Sequence, residues 1–116
     1  MKKSLRDAWV ARLRNPASKQ FHKRAYDVFT PSEATTDTAM CCIAHLAFVS
    51  DFVPKNETDV YDYLSNVSGM KGSPFTINGM KEHDVVAVLI TKNDEENKTL
   101  PEIADWIEAN IPITEE

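Results

Sequence analysis

Cysteine is scarce in this chain, and the two residues present, Cys41 and Cys42, are adjacent. Neighbouring cysteines do not readily bond to each other, because the disulfide would require a strained ring and a distorted peptide. This argues against a disulfide within the chain. Two reduced thiols fit a reducing cytoplasm. Since residues 39–49 around them carry no Lys, Arg, Asp or Glu, we expect both thiols to be buried in a helix.

A long apolar run is also missing. No uncharged segment reaches the roughly 18 to 20 residues that a helix needs to cross a bilayer. The opening MKKS is followed by LRDAW rather than by the apolar stretch of a secretory signal. Internal repeats and low-complexity segments are absent as well. We therefore expect no export and no membrane partner, and a protein that is soluble in the cytoplasm.

Length and composition fit one domain. The chain has 116 residues, of which 42% are hydrophobic. This is enough for one modest hydrophobic core, and a second core is not expected at this length. We predict a single globular domain over residues 1–116.

Charge is distributed unevenly around a net value of −5. Residues 1–24 hold eight Lys or Arg and one acidic residue, which gives +7. Residues 25–116 hold five basic and seventeen acidic residues, which gives −12. Two interpretations follow. Either the two parts neutralise each other across the fold, or each is a surface for an oppositely charged partner.

The first predicted helix covers residues 5–14. Ser4 is in position to cap it. Asn15 and Pro16 end it, because a proline pushes the residue before it out of the α region. The apolar residues of this segment recur at helical spacing: Leu5, Ala8, Trp9 and Leu13.

The cysteine run is predicted to form a central helix, since it is apolar nearly all round. Thr36 or Asp37 is in position to cap this helix, which should end near Asp51, before Pro54. Between the first two helices, residues 17–37 show no sustained periodicity. We expect a short hairpin or an irregular excursion there.

A third helix is predicted to follow Asn56 or Thr58, either of which can cap it. Gly69 is placed for a left-handed end to this helix. Its buried face should consist of Val60, Leu64 and Val67.

Residues 84–90 are ambiguous between strand and helix. Their β-branched content favours a strand, whereas their helical neighbours favour a helix, and we predict a helix. The final helix has a clear start, because Thr99 and Glu102 form a capping box. Its inward face should carry these apolar residues: Leu100, Ile103, Ala104, Ile107 and Ile111.

These elements together predict a mainly α fold. We expect a single domain of about five helices, with room for one small β-hairpin, and an α+β fold is the alternative.

Three short motifs stand out along the chain. They are the run WVARLR at 9–14 with Gln20 after it, the run CCIA at 41–44, and the pair ND at 93–94 before TLPEIADWIE at 99–108. Together they resemble a family of small proteins from tailed bacteriophages and prophages. That family's pattern is a helix with Trp and Leu-Arg, a Cys-Cys-Leu-Gly run, and an Asn-Asp turn before an Ile-Ala-Asp-Tyr/Trp-Ile-Glu helix.

The resemblance implies a phage accessory gene, and hence action in the cytoplasm of an infected bacterium. It implies no activity and no catalytic residues, since none is established for the family. The chain departs from the pattern at Ile43 and Ala44, where Leu-Gly is usual, and it lacks the further cysteine that often follows. If that glycine serves close helix approach, the side chain of Ala44 alters the contact.

The cysteines and histidines are candidates for metal or nucleophile chemistry. Cys41 and Cys42 lie four and three residues before His45, so a helix would present them on one side as zinc ligands. A structural zinc site needs four ligands, usually with cysteines two to four residues apart. A Cys–His hydrolase that uses His83 lacks orienting residues around it. We therefore predict no catalytic residue, no metal and no cofactor.

Charged side chains form two candidate partner-binding surfaces. The outward face of the last helix suits a basic patch on another protein; its residues are Glu102, Asp105 and Glu108. The second surface interleaves cations with aromatic residues, as single-stranded nucleic-acid sites do; its cations are Arg14, Lys19, Lys23 and Arg24.

These patterns favour a phage-encoded accessory protein that binds a host or phage protein and inhibits a host process or an antiviral defence system. A nucleic-acid-binding accessory protein that uses the basic residues is the alternative, and a Cys/His hydrolase is the second alternative. Nucleic acid is the less favoured partner, because the acidic remainder of the chain repels a polyanion.

Overall fold

Helices dominate the fold in a computed structural model of the chain, which describes residues 1–28, 30–50, 52–68, 75–77, 80–82 and 85–113. The α-helices of this part of the chain are α1 (Lys3–Arg14), α2 (Cys42–Val49), α3 (Glu57–Ser68), α4 (Val85–Ile90) and α5 (Leu100–Asn110). Two short strands, β1 (Phe75–Ile77) and β2 (Met80–Glu82), form an antiparallel pair with Phe75 opposite Glu82. The prediction of a mainly α fold is confirmed.

The helix that carries the cysteines, α2, lies at the centre of the hydrophobic core, as its uncharged sequence predicts. Residues 41–47 are all buried, and α1, α3 and α4 pack against α2. The buried apolar side chains of the described residues form one contiguous cluster. Cys41 and Cys42 are therefore inside the core and are not disulfide-bonded.

The helices α1 and α5 pack against each other along their apolar faces. Trp9 and Leu13 are buried on α1, although Ala8, predicted on the same face, is exposed. The predicted inward face of the last helix is confirmed. Its buried residues are Leu100, Ile103, Ala104, Ile107 and Ile111.

The predicted starts of the first two helices are wrong. Residue Lys2, not Ser4, precedes the first turn of α1, and its side chain makes no capping hydrogen bond. The helix α2 begins after Cys41 and ends at Val49, so neither Thr36 nor Asp37 caps it. In place of a side-chain cap, the N–H of Cys41 donates to the carbonyl of Ala25 over 2.8 Å. A backbone hydrogen bond to the distant residue Ala25, rather than a local cap, thus marks where α2 begins.

Two other helix starts follow local side-chain chemistry, as predicted. Asn56 rather than Thr58 caps α3, with its Oδ1 accepting from the N–H of Asp59 over 2.9 Å. The capping box of α5 is present in full, because Thr99 and Glu102 each accept a hydrogen bond from the backbone N–H of the other.

Residues 17–28 and 30–40 form an irregular excursion rather than a hairpin. Met40 lies between two extended stretches, with a parallel bridge to Gln20 and an antiparallel bridge to Tyr26. A single 3₁₀ turn, Pro31–Glu33, interrupts the outer part of the excursion. Of the two forms predicted for residues 17–37, the irregular excursion is the one found, and the strands of the described residues, β1 and β2, lie elsewhere.

The helix predicted over residues 84–90 is confirmed as α4 from Val85 onward, and Asp84 lies outside the described residues. It continues into a π-helical turn, Thr91–Glu95, which is closed by a hydrogen bond from the N–H of Glu96 to the carbonyl of Thr91. Asn97 then adopts a left-handed conformation with φ of 53°, which Asn tolerates better than most residues. The wider π turn changes which side chains of this segment point to the core.

The longest helices of the described residues, α1 and α3, have 12 residues each. A bilayer-spanning helix needs about 20, and no helix described here has the length and apolar character for it. Gly69 and His83, which the sequence analysis singles out, lie outside the described residues.

Candidate interaction surfaces

Asn93 is the polar centre of the core. Its side chain is fully buried. Its Oδ1 accepts from Nε2 of Gln20 at 2.8 Å and from the N–H of Cys42 at 3.3 Å. Its Nδ2 donates to the carbonyl of Phe21 and to Oδ1 of Asp94, both at 2.7 Å. The amide thus uses two acceptor positions and both protons, so it is fully satisfied.

The same buried contacts hold the basic segment, which we define as residues 19–24. Nε2 of Gln20 also donates to the carbonyl of Lys98 over 2.8 Å. Nδ1 of His22 lies 2.6 Å from the carbonyl oxygen of Asn93 and donates to it, since a carbonyl only accepts. The backbone of the basic segment is therefore fixed to the core.

Trp9 joins this network from α1. Its indole Nε1 donates to the carbonyl of Cys42 over 2.8 Å, and the N–H of Cys42 donates to Asn93. A buried hydrogen bond contributes about 0.5–1.5 kcal/mol net, and leaving one partner unpaired costs about 1–3 kcal/mol. Residues from all three sequence motifs thus hold one another in place, which gives those motifs a structural role.

The two thiols lack the properties of a nucleophile. Burial raises the pKa of Cys41 to about 12 and that of Cys42 well above its ordinary value. A reactive cysteine needs access and a lowered pKa. Cys42 instead directs its Sγ towards the carbonyl of Leu89 at 3.8 Å. Both thiols therefore act as buried apolar groups.

His45 is buried with both ring nitrogens occupied. Its Nδ1 accepts from Nε of Arg12 at 3.1 Å, and its Nε2 donates to the carbonyl of Lys19 at 2.9 Å. Burial, with a smaller effect of the Arg12 charge, lowers the pKa of His45 to about 4. This ring has no free nitrogen for a metal. In the described part of the chain, no three His, Cys, Asp or Glu side chains are grouped as a metal site.

The predicted acidic and basic surfaces meet at Arg14. Its Nη2 donates to Oδ1 of Asp105 at 2.7 Å and also to Oε1 of Glu108. The third acidic residue, Glu102, is used in the capping box. Neutralisation across the fold, one of the two interpretations of the charge pattern, therefore applies where α1 meets α5.

The rest of the predicted basic surface points outward. Lys19, Lys23 and Arg24 are exposed. The guanidinium of Arg24 lies over the ring of Phe21, 5.8 Å from its centre. Among the described residues, no carboxylate forms an ion pair with these three cations. They remain available to an anionic partner.

A groove that no sequence pattern predicts lies between α1, the end of α2 and α3. We call it the Phe52 groove. It has a volume of about 550 Å³. The rings of Phe52 and Tyr63 line it and are stacked with their centres 4.5 Å apart. The other lining residues are Ser4, Leu5, Ala8, Val49 and Ser50.

A second depression continues from the Phe52 groove. It has a volume of about 230 Å³, and Ser50 and Phe52 line both. Val53, on its rim, is 74% exposed, the highest value for a large apolar side chain among the described residues. The guanidinium of Arg12 lies 4.8 Å from the centre of the Phe48 ring at this end. The one signal in the sequence is the pair Phe52 and Val53, apolar residues that follow the end of α2.

Comparison of the chain with protein-family models, with curated proteins and with solved structures finds no match.

Proposed function

We propose that this protein is a phage-encoded accessory protein that acts by binding another protein, of the host or of the phage, in the cytoplasm of an infected bacterium. Inhibition of a host process, such as an antiviral defence system, is the proposed consequence of binding. The phage origin rests on the sequence resemblance. The binding function rests on the surface of the molecule.

The Phe52 groove is the observation that carries the binding function. Aromatic residues are enriched in protein interfaces, and adjoining exposed apolar residues mark binding surfaces. Here a concave surface with two stacked rings adjoins Val53, which is mostly exposed. The thiols of Cys41 and Cys42 are buried by contrast. The groove is therefore better suited to holding a partner than the buried groups are to catalysis.

The experiment is quantitative affinity capture from bacteria that carry the phage gene, with the parent protein and two variants. Val53→Asp places a charge at the rim of the second depression, which shares Ser50 and Phe52 with the Phe52 groove, without touching the core. Ile113→Asp is the matched control, because Ile113 is also exposed and lines neither depression. One protein should be captured in stoichiometric amount by the parent and by Ile113→Asp, and lost with Val53→Asp. Absence of any such protein would overturn the proposal.

Nucleic acid binding is a second candidate, favoured by the exposed cations of the basic segment. Arg24 lies over the ring of Phe21, and Lys19 and Lys23 are exposed in the same segment. Single-stranded sites combine cations with rings in this way. Binding to single-stranded DNA or RNA should then weaken with salt, by roughly 0.7 log units per log unit of salt for each phosphate contacted. A gel-shift series at increasing salt tests this, and no shift at low salt removes the candidate.

A further inference from the structure

The basic segment, residues 19–24, lies in a stretch of the chain that has no carboxylate. Residues 8–26 contain five Lys or Arg and no Asp or Glu. Two of these cations have partners, since Arg14 is paired with carboxylates of α5 and Arg12 is bonded to His45. The three cations of the basic segment are exposed and form no ion pair with a described residue; they are Lys19, Lys23 and Arg24.

The backbone that carries these cations is held in a fixed shape by the core. The carbonyl of Lys19 accepts from the N–H of Met40 over 3.0 Å and from Nε2 of His45 over 2.9 Å. Phe21 donates its N–H to the carbonyl of Met40 over 3.0 Å, and its own carbonyl accepts from Nδ2 of Asn93 over 2.7 Å. Since a partner does not have to order this backbone, binding loses less conformational entropy.

Single-stranded nucleic acid is the competing occupant of this surface, and the number of rings does not favour it. Nucleic-acid sites of this kind stack successive bases on several aromatic side chains. The basic segment contains a single Phe, Tyr or Trp, which is Phe21, and its side chain is partly buried. Tyr26, the next along the chain, is 2% exposed and belongs to the core. A strand of bases therefore finds one such ring here rather than a series.

Carboxylates at the borders of the basic segment also separate the two occupants. Asp27 follows it along the chain and is exposed. Asp94 lies against it, because Nδ2 of Asn93 donates both to Oδ1 of Asp94 and to the carbonyl of Phe21. A strand of phosphates that continues past the segment meets this negative charge. A cluster of carboxylates on a protein can face the three cations alone.

From these observations we infer that the basic segment binds an acidic surface of the partner protein. The inference rests on the proposed protein-binding function and adds a second contact surface to the Phe52 groove. One partner can span both surfaces, because they are neighbours. Arg12 lies over Phe48 beside the second depression and is bonded to His45, which donates to the carbonyl of Lys19.

The test uses two fluorescent probes of matched charge, a peptide of about ten glutamates and a single-stranded oligonucleotide of about ten phosphates. Fluorescence anisotropy at low salt should report binding of the glutamate peptide, and binding should weaken as salt is added. The oligonucleotide should bind more weakly than the peptide. No binding of the peptide at low salt would overturn the inference. Equal or tighter binding of the oligonucleotide would overturn it in favour of nucleic acid.

Variants locate the surface responsible. Lys19→Glu combined with Lys23→Glu should weaken binding of the glutamate peptide about tenfold, because opposed charges become like charges. Lys2→Glu combined with Lys55→Glu is the matched control, since it makes the same change in net charge at exposed residues outside the basic segment. The control should weaken binding much less. Equal effects of the two double variants would show that only net charge matters and would overturn the inference.

The fate of the proposed function is read separately, by affinity capture of the cellular partner. Capture should fall with the double reversal of Lys19 and Lys23, and an excess of the glutamate peptide should displace the captured protein. If capture depends on Val53 but not on these two lysines, the protein-binding function stands and the inference is wrong. If capture depends on neither, both proposals fail. If sedimentation shows a dimer that the double reversal dissociates, the acidic surface belongs to a second copy, and the inference is overturned.

Discussion

The side-chain amide of Gln20 donates to Oδ1 of Asn93 over 2.8 Å, although 73 residues separate them along the chain. The contact connects the excursion after α1 to the π-helical turn after α4. Because Asn93 also bonds the first turn of α2, one amide links three segments that have no local reason to meet.

Replacing Asn93 by Ala should lower the free energy of unfolding by about 3 kcal/mol, because several buried partners lose their hydrogen bonds at once. Urea denaturation at pH 7 measures the change. Asn110→Ala is the matched control, because Asn110 bonds only the carbonyl of Trp106 within its own helix. Asn110→Ala should lower the free energy of unfolding by less than about 1 kcal/mol. Similar losses for the two variants would show that the buried bonds of Asn93 stabilise the fold no more than the single bond of Asn110.

His45 should make the stability depend on pH. Its folded pKa, about 4, lies below its ordinary 6.5, so the unfolded chain takes up the proton first. The contribution of neutral His45 to the free energy of unfolding is fully present above about pH 6.5. It is lost as the pH falls towards 4, and the loss is on the order of 3 kcal/mol.

Urea denaturation from pH 7 to pH 4 compares the parent with His45→Gln. Glutamine does not titrate, but it has an acceptor for Arg12 and a donor for the carbonyl of Lys19. The difference in stability between the two proteins should therefore shrink as the pH falls. Parallel pH profiles would contradict the assigned pKa.

Cys41 and Cys42 should resist a thiol reagent in the native protein, because both are buried and their raised pKa values keep them protonated. Labelling at pH 8 should be slow natively and fast in denaturant. Val53→Cys serves as the control, since a thiol at that exposed position should react rapidly. Fast native labelling of the parent would show that the core opens at this site.

Arg14 should couple energetically to Asp105 and Glu108. A double-mutant cycle between Arg14→Ala and the paired change of both acidic residues to Ala should give about 0.2–1 kcal/mol, the range for exposed pairs. Changing both acidic residues to Lys should destabilise the protein modestly, and adding Arg14→Glu should restore stability. Zero coupling in the cycle would show that the ion pairs are not formed in solution.

The same variants test the predicted acidic surface on α5 as a partner site. If the partner contacts this face, changing Asp105 and Glu108 to Lys should reduce capture of the partner. Capture should stay low when Arg14→Glu is added, although that change restores stability. Recovery of capture together with stability would assign Asp105 and Glu108 to folding alone.

Features set by neighbouring residues were predictable from the sequence. The capping box of α5 uses residues three apart, and the burial of α2 follows from a run without charged side chains. The start of α1 was not predictable from Ser4, because a helix can begin a little earlier, here at Lys3, without a side-chain cap when its apolar face is held by packing.

Features set by distant residues were not predictable. The hydrogen bonds of His45 reach 26 and 33 residues along the chain, and no pattern of spacing indicates them. The excursion that carries Gln20 has no periodicity that could predict its form. Its conformation depends on bridges to Met40 instead. The Phe52 groove also escaped prediction, because it exists only where α1 and α3 approach the end of α2.

The contact between α1 and α5 joins the first and the last helix of the described chain. Arg14 meets carboxylates 91 and 94 positions later, and Arg6 donates to a carbonyl 105 positions later. Such pairs close very long loops, which disfavours their early formation. On the ribosome, α1 emerges before any of its partners on α5 exists. The core on that side therefore closes only after α5 has emerged from the exit tunnel, and α1 remains without these partners while the residues between the two helices are made.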